Sequence, residues 1–303
     1  MDQQSAPAAP SKSPVACYGE TLWDSLPSGL FLGGAPLNVA YHLARLGREA
    51  ILISAVGSDE LGRLALERAR QAGIDVSCAQ IHPTLPTGLV DAAVKSSGDA
   101  SYRIRECVAW DEIEATRLTV EKLRDAKALV FGTLSSRSSQ SRAALQSLLR
   151  AFEGLKICDV NLRPPYDDPE RALGLAAQAN VVKLNEEELR ALCPEGGEDK
   201  LLEDAVRALF DALERAGIVV VTRGAEPALL YDGDRVYRAA PRPPGPVADT
   251  IGAGDAFTAA LVDSLLDKRL PQICLDRATK LGSFVASRPG AQPAYDPEAV
   301  FER

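Results

Sequence analysis

The chain has 303 residues and a formal net charge of -8, from 42 Asp and Glu against 34 Lys and Arg. No basic run offers an electrostatic footprint for nucleic acid, so no such partner is expected, although one local pocket can still hold a small phosphorylated ligand. At this size about 74% of the unfolded surface can be buried. Together with 46% apolar and 25% charged residues, this excludes general disorder and fits one main body with an appendage. His42 and His82 are the only histidines, too few for a His-rich zinc site or an HExxH motif. The closest two of the six cysteines, Cys78 and Cys107, lie 29 residues apart, so neither a compact metal-ligand spacing nor a disulfide framework is expected.

Residues 1–14 are polar and rich in Pro and Ala, and read as a loose tail without the apolar stretch of a signal peptide. No apolar run approaches the roughly 20 residues that cross a bilayer, so no membrane contact and a cytoplasmic location are expected. Val15 to Tyr18 begins a strand, and residues 36–47 follow a Gly-Gly turn with Val39, Ala40, Leu43 and Leu46 at helical spacing. Residues 49–57 read as a strand and 62–73 as a helix closed by Gly73. The segment 77–108 differs: two short strand-like runs joined by Ser-Ser-Gly-Asp at 96–99 predict a small antiparallel appendage. Apolar strands at 127–132, 156–161, 181–185 and 218–224 then alternate with helices at 139–154, 170–179 and 204–217, which predicts a parallel sheet covered on both faces. A strand and a Pro-rich linker occupy 233–247, and helices are expected from Gly252 and over 271–290.

Three segments carry candidate chemistry. In DTIGAGDAF (249–257), Gly252, Ala253 and Gly254 precede a helix whose free N–H groups can face a phosphoryl group, with Asp255 placed to take a proton from a hydroxyl. An Asp that only caps the helix is the other reading of the same residues. In FLGGAPLNVAYHLARLG (31–47), Gly33 and Gly34 let backbone approach a ligand, and Asn38 sits one turn into the helix with an amide suited to a polyol; a plain turn is the alternative. Asp24, expected after a strand end, is either a hydroxyl acceptor or a solvent-facing turn residue. In CDVNLRPP (158–165), Asp159, Asn161 and Arg163 leave a strand toward the carboxyl edge of the sheet. Behind it, Asn185 and Glu188 fall on one side of a helix starting near 185, either organising Mg²⁺ and its waters or simply lying in a first turn favoured by the helix dipole. No Walker loop, HRD/DFG set or GxSxG occurs, and both histidines read as surface or ligand-rim residues.

GGAPLNVAYHLARLG and DTIGAGDAF together resemble the two signatures of the ribokinase-like (pfkB) carbohydrate kinases, in the right order and over roughly residues 15–296. GETLWDSLP, DVNLRPP and SRPGAQPA look most like fructokinase-type members. The resemblance implies a three-layer α/β/α body over 15–303, with a mainly parallel central sheet and a small β-lid formed mainly by residues near 20–34 and 77–108. It implies ATP and Mg²⁺, with K⁺ as a further candidate, and Asp255 as catalytic base beside an anion hole of Gly252, Ala253 and Gly254. Sugar contacts are implied for Asp24, Gly33, Gly34, Asn38, Arg163 and, from the lid, Arg103 or Arg105; a solvated strand face is the other reading of the lid arginines. Asn185, Thr222, Arg223, Gly224, Lys280 and Ser283 are implied around the nucleotide, Glu188 near Mg²⁺ through water, and backbone carbonyls of Asp249, Ile251 and Gly290 around a monovalent cation.

The activity expected on that basis is ATP-dependent phosphorylation of a primary hydroxyl of a free monosaccharide, foremost D-fructose to fructose 6-phosphate. Ribose, 2-keto-3-deoxygluconate or a nucleoside are the alternatives, the last needing an aromatic stacking surface for which Tyr102 and Trp110 are candidates. A non-catalytic sugar-binding regulatory protein is the alternative from another class. A homodimer through the lid is the assembly open to such a chain.

Overall fold

Alternate residues of the central strands enter two different cores. Val15 and Cys17 pack on one side of the first strand and Ala16 and Tyr18 on the other, the period-two geometry of a strand covered on both faces. The computed structural model describes residues 12–26, 29–94, 100–193 and 201–302. In chain order it contains β1 (Lys12–Tyr18), β2 (Leu22–Leu26), β3 (Gly29–Gly33), α1 (Ala35–Arg45), β4 (Arg48–Gly57), α2 (Glu60–Gln71), β5 (Ala79–His82), β6 (Gly88–Val94) and β7 (Ala100–Ile104). These are followed by α3 (Arg117–Asp125), β8 (Ala128–Phe131), α4 (Ser139–Ala151), β9 (Leu155–Asp159), α5 (Pro169–Ala176), β10 (Val181–Asn185), α6 (Glu186–Leu192) and α7 (Leu202–Ala212). The C-terminal part holds β11 (Ile218–Arg223), β12 (Glu226–Tyr231), β13 (Val236–Ala239), α8 (Ala253–Leu266), α9 (Pro271–Ala286) and α10 (Pro297–Phe301).

The main sheet has the order β13-β12-β11-β10-β9-β8-β1-β4-β5. It is parallel from β5 to β11, with β12 and β13 added antiparallel at one edge. Residues of α1, α2, α8 and α9 fill the core on one face; residues of α3 to α7 fill the other. This is the expected three-layer α/β/α body. A second sheet, β3-β2-β6-β7, forms the lid. Among the described residues no helix is long and apolar enough to cross a membrane.

Several local expectations change. The strand at 79–82 lies within the expected appendage, yet β5 pairs in parallel with β4 and extends the main sheet. Its alternation is too short to reveal which sheet it joins. Asp24 lies inside β2, opposite Phe31 and Val90, and not in a turn after a strand. Lys12 to Pro14, expected in the tail, belong to β1, where Lys12 registers with Arg48 and the Pro14 carbonyl accepts from Lys127 N–H. Residues 1–11, the Ser96–Asp99 turn and the side chain of Tyr102 lie outside the described residues.

Trp110 is fully buried, with the Arg137 guanidinium 3.9 Å over its ring, so it offers no surface for stacking a base. His42 is likewise buried and not a rim residue. Its Nε2 donates to the Ala291 carbonyl, and its Nδ1, left to accept, takes the Tyr295 hydroxyl, each at 3.0 Å. Burial lowers its pKa to about 4, so it stays neutral at physiological pH.

Candidate active site

The parallel strands all present their carboxyl ends to one side, where α/β sheets place ligand sites, and the loops there converge on the start of α8. Gly252 caps that helix with φ +74° and no side-chain hydrogen bond. A Cβ at this position would stand 2.5 Å from both Cα and Cβ of Ala291, so only glycine fits. Asp249 fastens the loop: its Oδ1 accepts from Ile251 N–H at 2.5 Å and its Oδ2 from Gly290 N–H at 2.9 Å. Asp249 and Ile251 therefore meet Gly290, 41 positions beyond Asp249, in one loop cluster.

Asp255 lies half-buried in the first turn of α8. Its Oδ2 accepts from Asn38 Nδ2 at 2.8 Å, which joins the two glycine-bearing motifs directly. Burial, with nearby Asp159 adding repulsion, raises its pKa to about 6; the Asn38 amide, Lys183 and Arg163 act in the opposite direction. Below the loop, Lys183 Nζ sits 3.0 and 3.2 Å from the two oxygens of Asp159, and Thr258 donates to Asp159 Oδ2 at 2.7 Å. A Cβ on Gly254 would lie 3.1 Å from Lys183 Nζ, so this buried ammonium supports the glycine loop from beneath.

Across the cleft, α1 begins behind Gly34, whose φ is +109° and whose Cβ, if present, would lie 2.3 Å from the Glu20 carbonyl. A Cβ on Gly33 would meet Asp24 Oδ2 at 2.6 Å and displace that carboxylate, whereas at Gly34 the backbone itself stands in the way and only glycine fits. Burial raises the Asp24 pKa, partly offset by Arg163. Burial likewise pushes Glu20 up to about 7, with Asp255 adding to the rise and Arg163 opposing it. Glu20 Oε1 accepts from Ala35 N–H at 3.1 Å at the head of α1. Arg163 thus acts on Asp24, Glu20 and Asp255 alike, and Gly33, Gly34 and Asn38 each approach one of these three residues. Arg105 instead pairs with Asp91 on the neighbouring lid strand, and Arg103 stands exposed on β7.

Asn185 and Glu188 form a reciprocal capping box at the start of α6, with both hydrogen bonds at 2.8 Å. Glu188 Oε1 also accepts from Leu162 N–H at 2.9 Å, so both oxygens hold backbone. Glu188 is 5% exposed, which removes the reading of a solvated first-turn acid, and burial raises its pKa. Among the described residues no cluster of three or more His, Cys, Asp or Glu could hold a metal. With both Glu188 oxygens held by backbone N–H groups, any part this acid took in holding Mg²⁺ would be through water.

A cleft of about 460 Å³ runs from Thr222, Arg223 and Gly224 past Ala253 and Gly254 to the α9 face carrying Thr279, Gly282, Ser283 and Ala286. Lys280 is not on this face; its ammonium donates to the Phe301 carbonyl. The helical spacing 279, 282, 283, 286 explains why Ser283 reaches the cleft and Lys280 does not. Sequence reasoning missed Glu20, Lys183 and Thr279. A lysine inside the apolar run VVKLN was the visible sign of Lys183, since a charge in a buried strand needs a partner; Glu20 and Thr279 had no comparable signal.

The model of the pfkB family carbohydrate kinases matches residues 28–298. The chain is 31% identical to a fructokinase of Rhizobium leguminosarum bv. trifolii, over 84% of this chain and 82% of that protein. It is 29% identical to fructokinase-1 of Oryza sativa subsp. japonica, over 94% and 95%. Its fold is similar to that of a Xylella fastidiosa fructokinase solved with bound ATP, with a TM-score of 0.82, 24% identity, and 96% and 98% of the two chains covered. With a matched segment that includes both glycine-bearing motifs and the Asn38–Asp255 contact between them, the chain belongs to the pfkB family of carbohydrate kinases.

Proposed function

We propose that this protein is an ATP-dependent fructokinase that transfers the γ-phosphoryl group of ATP to the 6-hydroxyl of D-fructose. The observation that carries the chemistry is Asp255, a carboxyl of raised pKa held through one oxygen by Asn38 beside an uncapped helix start. The other oxygen, Oδ1, takes the hydroxyl proton while the sugar oxygen bonds to the γ-phosphorus and the bond to the β,γ-bridging oxygen breaks, releasing ADP. The N–H groups of Gly252, Ala253 and Gly254 at the head of α8 bear the charge on the transferring group, that of Ala253 turning from its 3.3 Å bond to the Thr250 carbonyl. Mg²⁺, when bound with ATP, supplies charge neutralisation across the phosphates. Asn185, Thr222, Arg223, Gly224 and Ser283 line the nucleotide side, and Asp24, Gly33, Gly34, Asn38 and Arg163 the sugar side. K⁺ is assigned to the cluster of Asp249, Ile251 and Gly290, where the Asp249 carboxylate already draws the two loops together.

Fructose is the substrate because the relatives described above are fructokinases and because Trp110, buried under Arg137, is not available to stack a nucleoside base. Lid closure over the sugar brings Arg103 toward the pocket and excludes water, which limits ATP hydrolysis. Leu30 and Phe31, 48% and 43% exposed on the lid, suit pairing of two lids in a homodimer. Cys17, Cys78, Cys158 and Cys274, buried as thiols, suit a reducing, cytoplasmic setting. The test is ADP release with ATP, Mg²⁺ and K⁺ across free sugars and nucleosides. Fructose giving the highest kcat/KM supports the proposal; ribose, 2-keto-3-deoxygluconate or adenosine exceeding it would overturn the assignment of the sugar.

A further inference from the structure

We propose that Gln292 is a positioning residue for this reaction: its amide locks the Asn38 side chain with the N–H₂ end toward Asp255. The proposal rests on the reading of Asp255 as the base. Gln292 Nε2 donates to Asn38 Oδ1 at 2.8 Å, and Asn38 Nδ2 donates to Asp255 Oδ2 at 2.8 Å. The direction of this relay follows from chemistry. An ionised carboxylate only accepts, so Asn38 must present its N–H₂ to Asp255; its carbonyl then faces residue 292, and the only donor a glutamine side chain has is its own N–H₂.

Gln292 is itself held. The carbonyl before it, of Ala291, accepts from His42, and the carbonyl after it, of Pro293, accepts from the Tyr41 hydroxyl at 3.0 Å. Both partners lie on α1, the helix that carries Asn38. The segment is therefore tethered on either side of residue 292 to the helix whose amide it must orient. This gives buried, neutral His42 a purpose beyond packing, since a protonated imidazole could not accept from Tyr295.

The lock favours the ionised base. Were Asp255 protonated, its best partner would be the Asn38 carbonyl, which requires the amide to turn over. With Gln292 in place that turn sets two N–H₂ groups against each other unless the Gln292 amide turns over too, so the protonated acid gains its acceptor only at the cost of reorienting both amides. The other groups acting on Asp255 are Asp159 from β9, Arg163 from the loop after it, Lys183 from β10 and Glu20 from the loop after β1. None of these is altered by substituting Gln292.

The experiment titrates the Asp255 side-chain carboxyl in the full chain by carbon NMR with labelled aspartate, the resonance being assigned by its loss in Asp255→Asn. Gln292→Leu should move the midpoint upward by at least about half a unit, about threefold in acidity. The acid limb of kcat/KM for fructose should move with it. In an Asn38→Leu background the same substitution should change neither reading, because its route is removed. Should Gln292→Leu fail to give a native circular dichroism spectrum, Gln292→Met, unbranched and of similar length, takes its place. An unmoved midpoint in the folded variant, or an equal shift with Asn38 absent, overturns the proposal. A midpoint that moves while the kinetic limb stays put leaves the lock standing and removes Asp255 as the base.

Discussion

Helices α6 and α8 begin on either side of Thr222, Arg223 and Gly224 with acid in the first turn, and their first turns are built in opposite ways. At α6, Asn185 and Glu188 satisfy each other's backbone N–H groups and three consecutive glutamates follow the cap. At α8 the cap is Gly252, no side chain takes the free N–H groups, and Asp255 is the single acid. A closed helix start is a structural joint, while an open one retains donors for an anion. The buried Asp159–Lys183 pair links these two helices electrostatically: Lys183 supports Gly254, and Glu188 acts on the same ammonium through space. In the proposed reaction the phosphoryl group belongs to α8, and α6 fixes the wall beside it.

Substitutions can break this contrast, beginning with the largest effect. Asp255→Asn should lower kcat at least about a hundredfold, as expected for loss of a general base, while fructose binding by calorimetry persists. Because the folded pKa is raised, ionising Asp255 destabilises the fold as pH rises from the unfolded value through about 6. The asparagine variant should therefore melt higher than wild type at pH 8. A lower melting temperature would contradict the burial cost assigned to this group.

Lys183→Met should destabilise by about 3–5 kcal/mol in urea unfolding, since it leaves Asp159 as a buried charge without its partner. Gly252→Ala should cost about 1–3 kcal/mol from its positive φ and its contact with Ala291, and should lower kcat more than Glu188→Ala does. Equal kcat losses would erase the distinction between the two helix starts. The smallest effect belongs to Asn185→Ala, about 1 kcal/mol of stability for a lost cap. In wild type, kcat/KM should fall as pH drops below about 6, because only the ionised form of Asp255 accepts the proton.

The sequence carried the alternation of strands and helices because strands covered on both faces are continuously apolar, as in ALVF of β8 and VVKLN of β10. It also carried Asp255, Asn38 and the glycines, which lie in compact motifs. What it concealed depends on contacts between distant segments. Asn38 and Asp255 are 217 positions apart, and Gln292 and Asn38 are 254 apart, so no local pattern shows that they touch. His42 looked like a rim residue because its partners, Ala291 and Tyr295, lie at the other end of the chain. Lys280 and Ser283 were read together, but three positions of helix turn one toward Phe301 and the other toward the cleft.

Identification of the product by phosphorus and proton NMR, after incubation of the wild-type protein with fructose, ATP and Mg²⁺, tests the central claim most directly. The account predicts one product, fructose 6-phosphate, formed mole for mole with ADP and absent with Asp255→Asn. Phosphate on another hydroxyl, no transfer to fructose, or the same product formed at the wild-type rate by the variant would contradict it.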